Sequence, residues 1–306
     1  MVRQPAGAYS EIMLSRRTFG LAMTAGAMAP ALPRMSLAGP ENFASPWSRG
    51  SHSAVRLLAA GKDPASGDFV AGLEFELAKG FKTYWRDPGD AGVPPNFDWS
   101  GSENIASAEV LWPAPIRFED GAGFSIGYYG PLILPVKAKP RDARAPARLE
   151  LKIDYAICET MCIPAQGAVS LALMDGPPGP HAGAIADAIA KVPASVAIGA
   201  ASPSGLSIVS IKVIEGKKAA LAAEVIAPDA AQALDLFIEG PKGSFFGKPV
   251  IETIAAKPGD MGSRRRLIAP IEERARDLAQ WPLCLTLVAD AKAIETDVTI
   301  DAPAKK

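Results

Sequence analysis

The sequence predicts an all-β protein built as two β-sandwich domains joined by a short helical linker. Three observations carry that reading. Short apolar–polar alternations recur along most of the chain. Pro- and Gly-containing turns separate them, and only one segment keeps a helical period. With 306 residues, 48% of them hydrophobic, the chain is long enough for two cores of ordinary domain size.

The elements follow in order. Residues 39–50 read as a linker, with Pro40, Pro46 and Gly50. Alternating segments at 55–60, 69–77, 108–112 and 132–136 read as strands, punctuated by Gly61-Lys62-Asp63-Pro64, Pro88-Gly89-Asp90 and Pro94-Pro95-Asn96. Leu149, Leu151, Ile153, Tyr155 and Ile157 then share one parity, and Val169, Leu171 and Leu173 another, which predicts a hairpin. Gly176-Pro177-Pro178-Gly179-Pro180 breaks the chain. Residues 181–192 follow, alanine-rich, with Ile185, Ile189 and Val192 on one helical face and Pro193 as the stop. Beyond Ser202-Pro203-Ser204 a second set of strands is expected at 206–214, 219–226, 234–239, 267–269, 283–289 and 294–300. The domain boundaries read as 39–178, a linker at 179–203, and 204–302.

The hairpin carries the chemistry. Cys158 and Cys162 are two of only three cysteines, and they flank a three-residue loop, Glu159-Thr160-Met161. Directly opposed residues in a hairpin lie within the Cα separation a disulfide needs, so a Cys158–Cys162 bridge can close with little backbone movement. As a staple it is poor. Closing a loop of about five residues gains roughly 2 kcal/mol, against about 4.7 for one hundred. Reversible redox chemistry is the better use. A fixed structural bridge is the bland alternative, and a Cu(I) site is the other: Cys158, Met161 and Cys162 are soft ligands on one loop. Asp154 and Glu159 are acidic neighbours in sequence, opposed only by Lys152, so a dithiol of ordinary reactivity is expected.

The N-terminus sets the compartment. Ser15-Arg16-Arg17-Thr18-Phe19, a weakly apolar stretch to about Leu32, and Ser36-Leu37-Ala38 resemble a twin-arginine export signal cleaved after Ala38, so residues 1–38 read as that signal. Pro30 and Pro33 interrupt the stretch, and no later segment approaches the ~20 apolar residues of a spanning helix. A periplasmic protein that does not span the membrane is expected, in a compartment where cysteine pairs oxidise.

Other classes find little support. The net charge is −1, no basic stripe interleaves with aromatics, and no nucleic-acid surface or phosphate-binding loop is visible. Arg264-Arg265-Arg266 reads as solvated edge-strand charge. His52 and His181 fall in loop or helix-start contexts and read as solvated, so no Ser-His or Cys-His hydrolase assembles. Cys284 reads as a small hydrophobe in a strand, and Tyr84, Trp85 and Trp99 as packing aromatics. No cofactor is called for.

An ordered set of motifs completes the reading: Tyr84-Trp85-Arg86-Asp87-Pro88-Gly89-Asp90-Ala91-Gly92-Val93-Pro94-Pro95, Trp99, Trp112-Pro113-Ala114-Pro115, Gly127-Tyr128, Leu134-Pro135-Val136 and Cys158…Cys162-Ile163-Pro164. In this order they resemble the N-terminal periplasmic domain of the thiol:disulfide interchange protein DsbD, over roughly residues 50–302. The short cysteine spacing points to its ScsB-like (suppressor of copper sensitivity) branch. The resemblance implies an immunoglobulin-like domain whose dithiol is reduced by a membrane-embedded electron donor and then reduces a periplasmic thioredoxin-fold acceptor. It implies Cys162 as the cysteine that forms the mixed disulfide and Cys158 as its resolving partner. It also implies a shielding cap loop, expected within 118–124 with Phe118 or Phe124 as the covering ring. Because the sequence stops where that family's membrane domain would start, the donor is expected on a separate chain.

Overall fold

The computed structural model describes residues 43–120, 123–214, 219–228, 233–271 and 281–300. The export signal read in 1–38 therefore lies outside the described residues, as do 39–42 at the start of the linker. The architecture is all-β, with two immunoglobulin-like sandwiches and, among the described residues, one short helix.

The first sandwich contains β1 (Ser48–Arg49), β2 (Ser53–Lys62), β3 (Phe69–Leu77), β4 (Lys82–Gly89), β5 (Asn96–Asp98), β6 (Ile105–Val110), β7 (Ile116–Asp120), β8 (Gly123–Tyr129), β9 (Leu132–Pro140), β10 (Ala147–Cys158) and β11 (Cys162–Leu173). One sheet runs β1-β2-β3-β9-β6 and the other β11-β10-β4-β8-β7, with β5 also paired to β10. Alternation decides what meets between them. Val55 and Leu57, Leu73 and Phe75, Leu134 and Val136, and the odd-numbered run Leu149 to Ile157 all point into one core.

Of this sandwich's strands β1, β4, β5, β7 and β8 have no counterpart among the predicted ones, and β4 and β8 share a physical reason. Lys82, Thr83, Tyr84 and Trp85 are four buried residues in succession, as are Ser125, Ile126, Gly127 and Tyr128. A strand covered on both faces loses the apolar–polar alternation that marks a half-exposed one. Here the core covers one face, and the hairpin cluster or the second sandwich covers the other. The segment expected as a loop at 118–124 is likewise strand on both sides of 121–122, which lie outside the described residues.

Helix α1 (Ala182–Ile189) is shorter than the predicted 181–192, because tight turns from Lys191 to Ala188 and from Val192 to Ile189 end it ahead of Pro193. Ile185 is buried against the first sandwich, where Gly72 makes room. A Cβ at Gly72 would stand 2.8 Å from Ile133 and 3.1 Å from Ile185.

The second sandwich contains β12 (Ala194–Ser195), β13 (Ser207–Ile214), β14 (Ala220–Ala227), β15 (Leu234–Glu239), β16 (Val250–Thr253), β17 (Ser263–Pro270), β18 (Pro282–Ala289) and β19 (Lys292–Thr299). Its sheets run β12-β19-β18-β15 and β13-β14-β17-β16. β16, exposed along its whole length, has no apolar face to betray it in sequence. The arginine run corrects its reading as solvated edge charge. β17 lies between β14 and β16, and Arg264 is buried in ion pairs with Asp260 (2.7 Å) and Glu224 (3.1 Å).

The two sandwiches are pinned together by side chains that cross between them. Phe237 of β15 is buried in the first sandwich's core, edge-on to Trp85 at 5.9 Å. Arg117 of β7 forks onto Asp235 (3.0 and 3.2 Å), donates to the Leu236 carbonyl and lies over the Phe237 ring. Arg86 of β4 binds Glu239 through two bonds (2.8 and 2.6 Å) and also reaches Glu295.

Candidate functional site

The hairpin register places Cys158 directly opposite Cys162, at the end of twelve consecutive pairs. Odd residues of β10 face the core, so Cys158 and Ala156 point to the other face of the sheet. The two sulfurs stand there as thiols, 2.9 Å apart. Closing them to a bond of about 2.05 Å needs less than about 1 Å of movement. The pair is asymmetric: Cys158 is buried, 5% exposed, and Cys162 is open to solvent.

β4 builds the wall beside them. Thr83 pairs with Ile157 and its hydroxyl donates to the Ala156 carbonyl at 2.9 Å, while Lys82 pairs with Cys158. Lys82, Tyr84, Ala156, Cys158 and Cys162 thus share the outer face. Tyr84 packs on Ala156 and Cys158, and its hydroxyl lies 3.0 Å from the Cys162 sulfur. Gly127 of β8 lets that strand close on the site, since a Cβ there would meet the Thr83 carbonyl oxygen at 2.0 Å.

Burial pushes the Cys158 thiol up, helped by its contact with Cys162, while the Tyr84 hydroxyl and the Lys82 charge pull it down. Burial also raises Tyr84, reinforced by the two sulfurs, so its hydroxyl keeps its proton and can donate it. The acidic neighbours weighed in the sequence act differently from their spacing. Asp154 and Lys152 lie four and six residues back along β10, about 13 and 20 Å at strand rise, and Asp154 accepts a bond from Gln166. The Glu159 carboxylate is turned back over Gly80.

The two aromatic rings considered as a cap part company. Phe118 pairs with Ser125 on the dithiol face, is buried, and stacks edge-on against Tyr129 at 4.5 Å, beneath the Lys82 ammonium. Phe124 sits on the opposite face, near Arg117 and Lys248, with its backbone N–H donated to Asp90. Met161 stands at the loop tip, 73% exposed.

Cys284 is not a plain core hydrophobe. Its sulfur, Glu239 and Glu295 lie within 4.8 Å of one another at the junction of the sandwiches. The Arg86 guanidinium binds both carboxylates and occupies the cation's place. Burial, then the two carboxylates, holds the Cys284 thiol far above its ordinary range and makes it unreactive.

Sequence reasoning missed two site residues. Tyr84 reads as a packing aromatic and Lys82 as nothing in particular. The available signal is their two-residue spacing, which puts both on one strand face. Only the pairing of β4 with β10 reveals which face that is.

Comparison with known proteins adds three findings. Residues 54–173 match the family described as Thiol:disulfide interchange protein DsbD, N-terminal. Residues 191–303 match a family described as a domain of unknown function (DUF8393). Among solved structures the chain is similar to the N-terminal periplasmic domain of ScsB from Proteus mirabilis, with a TM-score of 0.66 and 24% identity, covering 86% of this chain and 100% of that one. At that identity the likeness shows a shared fold. No curated protein matches the chain.

Proposed function

We propose, from the match of residues 54–173 to the family of DsbD N-terminal domains, that Cys158 and Cys162 relay electrons by thiol–disulfide exchange in the periplasm. The observation that carries this reading is the asymmetric pair: one exposed sulfur and one buried sulfur, 2.9 Å apart, under a tyrosine hydroxyl.

The exchange balances with no cofactor. The Cys162 thiolate attacks a sulfur of the acceptor's disulfide, that S–S bond breaks, and a mixed disulfide forms while one acceptor thiolate leaves. The Cys158 thiolate then attacks the Cys162 sulfur and releases the second acceptor thiolate. Two electrons have passed, the acceptor holds a dithiol, and Cys158–Cys162 is a disulfide. A donor dithiol runs the same steps in reverse to restore it. The acceptor is a periplasmic thioredoxin-fold protein, and the donor is a membrane-embedded dithiol. Among the described residues no helix is long and apolar enough to cross a membrane.

The test is trapping. Cys158→Ser mixed with an oxidised thioredoxin-fold protein accumulates a mixed disulfide at Cys162, and Cys162→Ser does not. A reduction potential far below about −300 mV would instead mark a structural bond. The competing Cu(I) reading uses Cys158, Cys162 and the exposed Met161, and it predicts tight Cu(I) binding that disappears in Met161→Ala.

A further inference from the structure

Four observations converge on Lys82. It stands directly opposite Cys158 in the β4–β10 pairing. It is 3% exposed, although a lysine ordinarily keeps its ammonium in water. Its Nζ lies 5.0 Å from the centre of the Phe118 ring. That ring is itself buried and held edge-on by Tyr129, the residue paired with Lys82 on its other side.

Side chains of directly opposed residues leave the same face with Cβ atoms about 4.5–5.5 Å apart, so the lysine stem and the Cys158 thiol are neighbours. Burying an ammonium is costly unless charge or an aromatic face compensates, and the Phe118 ring supplies part of that compensation. A methionine of similar length would fill the same space without that cost.

We propose that Lys82 is a positioning residue for the exchange, its ammonium, seated on Phe118, stabilising the thiolate of Cys158 whenever that sulfur attacks or leaves. The inference rests on the exchange reading and adds a second helper at Cys158: the Tyr84 hydroxyl reaches both sulfurs, and the Lys82 ammonium serves Cys158. In the resolving step, the Cys158 thiolate attacks the Cys162 sulfur, the bond from Cys162 to the acceptor breaks, and the acceptor sulfur leaves with the electron pair and takes a proton from water. In the recharging step a donor thiolate attacks Cys162 and Cys158 leaves as a thiolate beside the same ammonium. Among the described residues, the groups facing Cys158 are Lys82 and Tyr84 from β4 and Cys162 from β11, with Glu159 turned over Gly80. Lys82 and the Tyr84 hydroxyl pull the thiol towards its charged form against burial and the neighbouring sulfur.

The experiment uses the full chain, with Lys82→Met, Lys82→Gln and Lys82→Arg. Reduced protein mixed with equimolar 5,5′-dithiobis(2-nitrobenzoate) releases one thionitrobenzoate as Cys162 attacks and a second as Cys158 displaces it. The expected result is a second phase slowed about tenfold in Lys82→Met and Lys82→Gln, from loss of a cation near a thiolate, with the first phase little changed and Lys82→Arg near wild type. In a Cys162→Ser background, alkylation of Cys158 by iodoacetamide moves to higher pH with the same ranking. Unchanged second phases and pH profiles in a folded Met or Gln variant would overturn the proposal. Should Lys82→Met fail to fold, Lys82→Gln decides alone. If wild type exchanges with a thioredoxin-fold disulfide and the variants match it, Lys82 fails and the exchange reading stands. If wild type does not exchange but Lys82 still governs Cys158 alkylation, the exchange reading fails instead.

Discussion

Removing one oxygen atom tests the site most directly. Tyr84→Phe deletes the hydroxyl that lies 3.0 Å from the Cys162 sulfur and keeps the ring, which is 1% exposed and packed on Ala156 and Cys158. A hydrogen bond to a charged acceptor contributes about 1.5–3 kcal/mol. At 1.36 kcal/mol per tenfold, its loss removes stabilisation of the attacking sulfur worth about 10- to 150-fold in rate. The remaining thiolate is more basic and more nucleophilic, which returns about half of that on a logarithmic scale. The net slowing is about 3- to 12-fold. The assay is alkylation of Cys162 by iodoacetamide at pH 7 in a Cys158→Ser background, followed by peptide mass spectrometry. The reduced form loses stabilisation and the disulfide does not, so in the intact dithiol the potential also becomes more negative, by at most about 30–60 mV. An unchanged alkylation rate in a variant of native stability would show that the hydroxyl does not serve the thiolate.

Other outcomes follow from the same coordinates. Phe237→Ala, on the second sandwich but in the first one's core, costs about 3–5 kcal/mol in denaturant unfolding. A loss below about 1 kcal/mol would mean the sandwiches are not coupled there. Native protein treated with excess iodoacetamide carries label on Cys162 first and Cys158 more slowly, while Cys284, held protonated by burial and by Glu295 and Glu239, stays unlabelled until the chain unfolds. Rapid labelling of Cys284 in native protein would contradict the clasp around Arg86. Asp260 is lowered from 3.8 to about 2 by its bonds from Arg264. A carboxyl lowered on folding stabilises the fold above its unfolded value, and that contribution disappears as pH falls through the folded one. The thermal midpoint therefore drops between about pH 4 and pH 2 more steeply in wild type than in Asp260→Asn, and parallel curves would refute the pairing.

The parts of this protein legible from sequence are those whose signal is local. Alternation along β10 and β11 is a property of neighbouring residues, and it specifies the hairpin, its inward parity and the confrontation of Cys158 with Cys162. The alanine-rich run before Pro193 specifies a helix for the same reason, and short turns between alternating segments specify the all-β class. Strands covered on both faces carry no such signal, so β4 and β8 became visible only in the fold. With β4 came both residues that tune the sulfurs: Tyr84 reaches Cys162 from 78 positions away, and Lys82 meets Cys158 across the same pairing. Arg264, exposed by composition and buried in fact, was decided by which strand lies beside β17, and Cys284 by the approach of Arg86 from the other sandwich. Side-chain parity is set within a strand, but the environment of a charged or reactive group is set by what packs against it, and only long-range pairing determines that.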